Sequence, residues 1–285
     1  MFRPAFNTFR TASAAKARPG EALSDDQLRR VAPSIFATEA HESRSARFAP
    51  VPTVTVLDGL RREGFEPVFA AQSGTHDDSR RDFTKHMLRL RHRGEGRAMK
   101  VGDSVFEIVL VNANDGSAAY QMLPGVFRLV CLNGLMVGNA YDEVKVRHSG
   151  NAVHDVIEGA FRVLSEAPRV AGQVEAFRGI TLNRDEREAF AEAAHALRFE
   201  GETPIRAAQL LQPRRRDDVG ADLWTTFNVA QENIIRGGLS AMGRNAAGQR
   251  RRTTSREVQG IDQNRALNRA LWTLSERMAQ LKAAA

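Results

Sequence analysis

Cysteine is all but missing from this chain of 285 residues, where Cys131 stands alone. A single thiol excludes a disulfide scaffold and any Cys-rich zinc site, and it agrees with a reducing, cytoplasmic setting. No uninterrupted apolar run approaches the roughly 20 residues needed to span a bilayer, so no membrane partner is expected. Lysine is scarce too: Lys16, Lys85, Lys100, Lys145 and Lys282 leave arginine to supply almost all of the 41 basic side chains. A high-G+C coding bias produces the same ratio without any functional cause. Against 34 acids the net charge is +7, too small by itself to name a partner. Acids are absent from residues 1–20, which hold Arg3, Arg10, Lys16 and Arg18 among many Ser, Thr and Ala. That composition reads as a basic, poorly ordered leader over 1–33; mitochondrial transit peptides share it. No apolar stretch of secretory type follows the first arginines.

The familiar catalytic and cofactor signatures are missing as well. There is no Gly-x-x-x-x-Gly-Lys-Ser/Thr, no Gly-x-Gly-x-x-Gly after a strand, no Gly-x-Ser-x-Gly and no His-Glu-x-x-His. His86 and His92 fall on one expected strand, and His148 and His154 flank a strand-to-helix junction. Neither pair has metal-ligand spacing, so no metal and no other cofactor is expected.

What is there suits an ordinary globular protein, 42% apolar and 26% charged. Val54, Leu57 and Leu60 suggest a helix with Thr53 as N-cap and Gly64 as its stop. Val68–Gln72 reads as a short strand. Phe83–His92 alternates, with Lys85, Met87, Arg89 and Arg91 on one side and His86, Leu88 and Leu90 on the other. Val105–Val111 suits a central strand; Asp115-Gly116 and Pro124-Gly125 read as turns on either side of Ala118–Leu123. Val126–Cys131 and Val144–His148 add further strands. Beyond Asn151 the period turns helical, with a stripe of Val153, Ile157, Ala160, Phe161 and Leu164 and a break at Pro168. Asp185–Phe199 and a stripe from Leu223 to Ile235 give two more helices, with the 213–218 Pro-Arg-Arg-Arg-Asp-Asp segment a loop between them. Residues 240–259 read as a flexible Arg-rich loop. A last helix carries Leu267, Leu271, Leu274, Met278 and Leu281, a seam that either packs on its own domain or, through 262–281, serves a homo-oligomer or a partner helix. The expected fold class is α+β, an antiparallel β-meander with C-terminal helices packed against the sheet. It forms a single domain over 34–285, with the sheet core at about 65–150 and the helical part at 151–285.

Three blocks carry a family resemblance: Asn114–Ala118, then Leu123–Leu135, then Val144–Asn151. With Leu223–Asn233 and Gly237-Gly238, they resemble a family of phage- and plasmid-encoded proteins whose defining domain is of unknown function. The resemblance covers roughly 34–280 and implies a bacterial or phage setting on mobile DNA. It implies no catalytic residue.

Charge is unevenly placed. Residues 80–100 hold eight basic side chains against Asp82 and Glu95, and 236–257 hold six arginines against Glu257. Lys85, Arg89 and Arg91 share a strand face that Arg128, Lys145 and Arg147 join if the meander order holds. Arg244, Arg250, Arg251, Arg252 and Arg256 would act as a clamp. Together they make a candidate nucleic-acid surface, since neutralised phosphates release counterions; solvated surface charge is the plain alternative. Asn133, His148, Asn228, Gln231 and Glu232 form a candidate polar cleft. The sequence therefore favours a mobile-element protein that binds DNA, with single strands in replication, recombination or annealing as the first substrate. An enzyme using the polar cleft, or a non-catalytic host-interaction module, is the alternative; no reaction is legible.

Overall fold

The computed structural model describes residues 11–18, 20–39, 51–94, 100–101, 104–115, 117–128, 134–136, 143–147, 151–199, 201, 203–244 and 248–284. They cluster into two compact units. The first takes the described residues of 11–136, 143–168 and 259–261; the second takes those of 169–258 and 262–284. Among the described residues no helix is long and apolar enough to cross a membrane.

The first unit is built on an antiparallel sheet. Its strands are β1 (Thr11–Lys16), β2 (Phe65–Ser73), β3 (His86–His92), β4 (Lys100–Val101), β5 (Ser104–Asn112), β6 (Tyr120–Arg128), β7 (Gly134–Met136) and β8 (Val144–Val146). The order is β1-β2-β3-β5-β6-β7, with β4 beside β5 and β8 beside β6. The segment read as a leader thus contributes an edge strand, followed by a helix, α1 (Asp25–Val31). Ser24 and Gln27 cap α1 reciprocally, which satisfies two of its free N–H groups. β5 is buried along its whole length, as its double-sided apolar pattern requires.

Pro124-Gly125 does not turn the chain. β6 runs straight through, with Pro124 in register with Ile108 and Gly125 with Glu107. On its other side β6 pairs with β8 at 120–122 and β7 at 125–127. Among the described residues that side has no partner at Pro124, which is where a strand tolerates a residue without an N–H.

Two helices complete the unit, α2 (Thr53–Arg62) and α3 (Ala152–Ser165). Gly159 lets α3 approach the sheet, since a Cβ there would lie 2.4 Å from Met122 and 2.7 Å from Val144. The stripe of α3 that is buried is rotated from the expected one: Ala152, Val156, Ala160, Val163 and Leu164 are buried, while Phe161 is exposed. Val153 and Ile157 instead lie against Gly59 of α2. On the opposite sheet face Val109, Val111, Leu123 and Phe127 form an apolar cluster with Ile261 and the half-buried Met87. Pro168 lies in the first turn of α4 (Ala167–Gly179), where a missing N–H costs nothing, so the helical path breaks just before it.

The second unit contains α5 (Arg184–Ala196), α6 (Leu223–Arg236), strands β9 (Ser240–Arg244) and β10 (Arg250–Thr254), and α7 (Ile261–Ala284). Asn183 and Glu186 form a capping box on α5, and Asp222 caps α6 through the Thr225 N–H. Trp272 of α7 is fully buried and packs against Phe177 and Phe227. The α7 leucine row fades outward: Leu267 and Leu271 are buried, Leu274 and Met278 half-buried, and Leu281 exposed. Residues 240–259, expected as a flexible loop, carry instead the β9–β10 hairpin, in register from Ser240↔Thr254 to Arg244↔Arg250.

Candidate functional site

The first constellation lies where β2, β3 and β5 align Gln72, His86 and Asn112 in one register row. All three are buried, as are Ser34, Thr53, Asn114 and Tyr120 around them. Ser34 arrives on a short 3-10 turn (Pro33–Phe36), and Thr53 is the first residue of α2. Thr53 does not cap that helix, because its hydroxyl is turned into the row. Ser34 Oγ lies 2.8 Å from His86 Nδ1, and Thr53 Oγ1 lies 2.9 Å from His86 Nε2. Ser34 donates to Gln72 Oε1 at 2.8 Å, and the Thr84 carbonyl stands 3.4 Å from Nδ1, so Nδ1 is the donating nitrogen. Asn112 donates to Thr53 Oγ1 and to Asn114 Oδ1, and Asn114 donates to the Ser34 carbonyl. Tyr120 donates to the Val51 carbonyl at 2.9 Å, and burial raises its phenol well above the usual range. The Thr53 proton faces Nε2 on one side and Tyr120 Oη, at 3.2 Å, on the other.

A serine hydroxyl on a histidine is the arrangement of nucleophilic catalysis. Here Ser34 is 0% exposed and His86 1%, so the pair as it stands ties the Pro33–Phe36 turn and α2 to the sheet. Asn112 Oδ1 is buried with no hydrogen-bond partner among the described residues.

The second constellation is on the other sheet face. Arg89 is buried and donates from Nε to Glu107 at 2.6 Å, with its guanidinium 3.5 Å from the Phe127 ring centre. Arg91 donates to the other Glu107 oxygen at 2.5 Å. Burial holds the Arg89 pKa down, and Glu107 opposes that shift. These two arginines therefore share one carboxylate on that strand face. Lys145 occupies the same face row through its pairing with Gln121, and its ammonium lies 3.6 Å from Glu143. Arg147, two residues on, is exposed. Lys85 is half-buried and hydrogen-bonds Ser73 through its carbonyl. Arg128 pairs in register with Ser104.

In the second unit, Asn228, Gln231 and Glu232 of α6 are buried. Asn228 donates to the Trp224 carbonyl and Gln231 to Asn268 Oδ1. Glu232 receives Arg215 through two nitrogens and Arg236 through a third. Burial pushes its pKa up, but these arginines outweigh that and leave it below the usual carboxylate range. Arg214 reaches Asn233 Oδ1 and the Gly237 carbonyl, so the 213–218 loop closes over the end of α6. These polar groups are held in intramolecular pairs. Asn133 and His148, the other members of the expected cleft, lie outside the described residues, as does Cys131. Among the described residues no group of three or more His, Cys, Asp or Glu side chains is placed to hold a metal.

The fourth constellation is the hairpin. Gly243 faces Pro204, since a Cβ there would lie 2.9 Å from the proline ring. Arg251 is opposite Gly243 in register, so Arg244, Arg250, Arg252 and Met242 form the row on the other, outward side. All four are exposed, Met242 at 55%. Arg244 donates to the Gly248 carbonyl, and among the described residues no carboxylate pairs with Arg244, Arg250, Arg251 or Arg252. Arg256, beyond β10, is exposed too, and its carbonyl accepts from Arg198.

Sequence reading missed Ser34, Gln72 and Asn112, and took Thr53 only as a helix cap and Asn114 only as part of a family block. The available signal was Asn112 and Asn114 directly following an apolar run.

No solved structure matches the chain. Two proteins of Escherichia coli strain K12, UPF0380 protein YfjQ and UPF0380 protein YafZ, are each 48% identical to it over 255 residues, 89% of this chain and 90% of theirs. The family described as Domain of unknown function (DUF932) matches residues 40–272, so the chain belongs to that family.

Proposed function

We propose that this protein binds DNA through the β9–β10 hairpin, as a cytoplasmic component of a phage or plasmid system acting in replication, recombination or annealing. One observation carries the reading: Arg244, Arg250 and Arg252 stand in one exposed outward row, and no described carboxylate neutralises them. Nearly all the arginines of the sheet face and of the 213–218 loop that the described contacts reach are tied to Glu107, Glu232 or main-chain carbonyls, which sets the hairpin apart. Each phosphate it neutralises releases counterions, so affinity falls steeply with salt. The test is fluorescence anisotropy with labelled single- and double-stranded oligonucleotides across a sodium chloride series. Replacing Arg244, Arg250 and Arg252 together by alanine should weaken binding more than tenfold and lower the salt slope by about three. A flat salt dependence, or unchanged binding by the triple variant, overturns the proposal.

A second reading, an enzyme, draws on the in-line Ser34, His86 and Thr53 contacts. A serine-directed fluorophosphonate that labels the protein, and fails to label Ser34→Ala, would favour it. Absence of labelling in both removes it.

A further inference from the structure

Beyond the hairpin, we propose that the first unit holds an oxyanion site in a shallow depression lined by Lys16, Ala17, Arg18, Val68, Arg89 and Arg91, with Glu107 among them. The ligand is a phosphate group that seats one terminal oxygen at the floor.

The sheet builds this site by register. Lys16 of β1 is opposite Phe69 of β2, which is opposite Arg89 of β3, so the end of β1 brings Lys16 and then Arg18 to the arginine pair. Between Pro67 and Phe69 the β2–β3 register shifts, which makes Val68 the extra residue of a bulge. Bulges re-aim side chains and interrupt pairing, and this one lies at the depression.

The charges do not balance. Lys16 aside, Arg18, Arg89 and Arg91 line the depression against one carboxylate, and both Glu107 oxygens are already engaged, by Arg89 and Arg91. Two guanidinium groups on one buried carboxylate leave a positive excess in a poorly solvated place, where an unmatched charge is costly. Arg91 Nε is moreover shut off from solvent with no hydrogen-bond partner among the described residues. A donor left in that state wants an acceptor oxygen. The floor has room for about one water-sized atom, so a single phosphate oxygen fits there while the others meet Arg18 at the rim. Arg18 is exposed and free to close on it.

The experiment is thermal unfolding of the whole chain with inorganic phosphate, against sodium chloride at matched ionic strength. Phosphate should raise Tm by about 2–4 °C in a saturable way. Arg18→Gln should weaken that effect at least tenfold in phosphate concentration; its exposure makes it safe for folding. Arg91→Lys keeps a cation for Glu107 but removes the Nε donor, and should weaken it similarly. The hairpin triple variant should keep the full phosphate effect, so this proposal and the DNA proposal fail separately. Equal stabilisation by chloride and phosphate, or the same phosphate effect in Arg18→Gln, overturns the site. Oligonucleotide binding then separates the sources of phosphate. If Arg18→Gln weakens it, the site takes a backbone phosphodiester. If Arg18→Gln leaves it untouched, the site takes a free phosphate or phosphomonoester.

Discussion

Glu107 shows what a single side chain decides. It is buried between Arg89 and Arg91, so removing its charge leaves two guanidinium groups without an anion. Breaking a buried pair in this way costs about 3–5 kcal/mol. Glu107→Gln should lower the urea midpoint by a corresponding amount with little change in the slope. Thr53 is a second case, because its hydroxyl meets His86, Tyr120 and Asn112 at once. Thr53→Val keeps the shape and strands those partners, for an expected loss of about 1–3 kcal/mol in the same measurement. Thr53→Ser, which keeps the hydroxyl, should recover most of it. Neither role could be read from the residues alone. Counting charges along the chain registers eight bases near β3 but not that Glu107 sits across the ladder from them. Thr53 looked like a cap because it precedes an apolar helix; its actual partners are distant in sequence.

Elements were more legible where a period repeats. The alternation read over Phe83–His92 gave the two faces of β3, although the strand begins only at His86, and the double-sided apolar run gave buried β5. Pro124 misled because a proline's cost in a strand depends on whether its side has a partner, which is a property of the sheet order. The arginine hairpin misled because its residues are polar on both rows, so alternation carries no apolar mark. On α3, Gly159→Ala should drive a methyl group into Met122 and Val144 and destabilise by about 1–3 kcal/mol, read as a lowered Tm. On the hairpin the outcome should be opposite: Arg250→Ala or Arg252→Ala should change stability by no more than about 0.5 kcal/mol, since both are exposed. That contrast makes the hairpin variants clean probes of binding.

For the chain as a whole, pH is the simplest lever. The Glu232 pKa is lowered in the fold by Arg215 and Arg236, against the opposing effect of burial. A depressed carboxylate pKa stabilises the folded state fully above its unfolded value, near 4.3, and that contribution is lost as pH falls through the folded pKa. Acid should therefore erode stability below about pH 4, and Glu232→Gln should flatten that limb while lowering stability at pH 7. Chain order adds a different consequence. Ile261 belongs to the same apolar cluster as Val109, Val111, Leu123 and Phe127, although it follows Phe127 by more than a hundred positions. During translation that sheet face must wait for Ile261 to leave the ribosome. Nascent chains ending before it should be held by chaperones longer than the released protein, because their greasy surface is still uncovered.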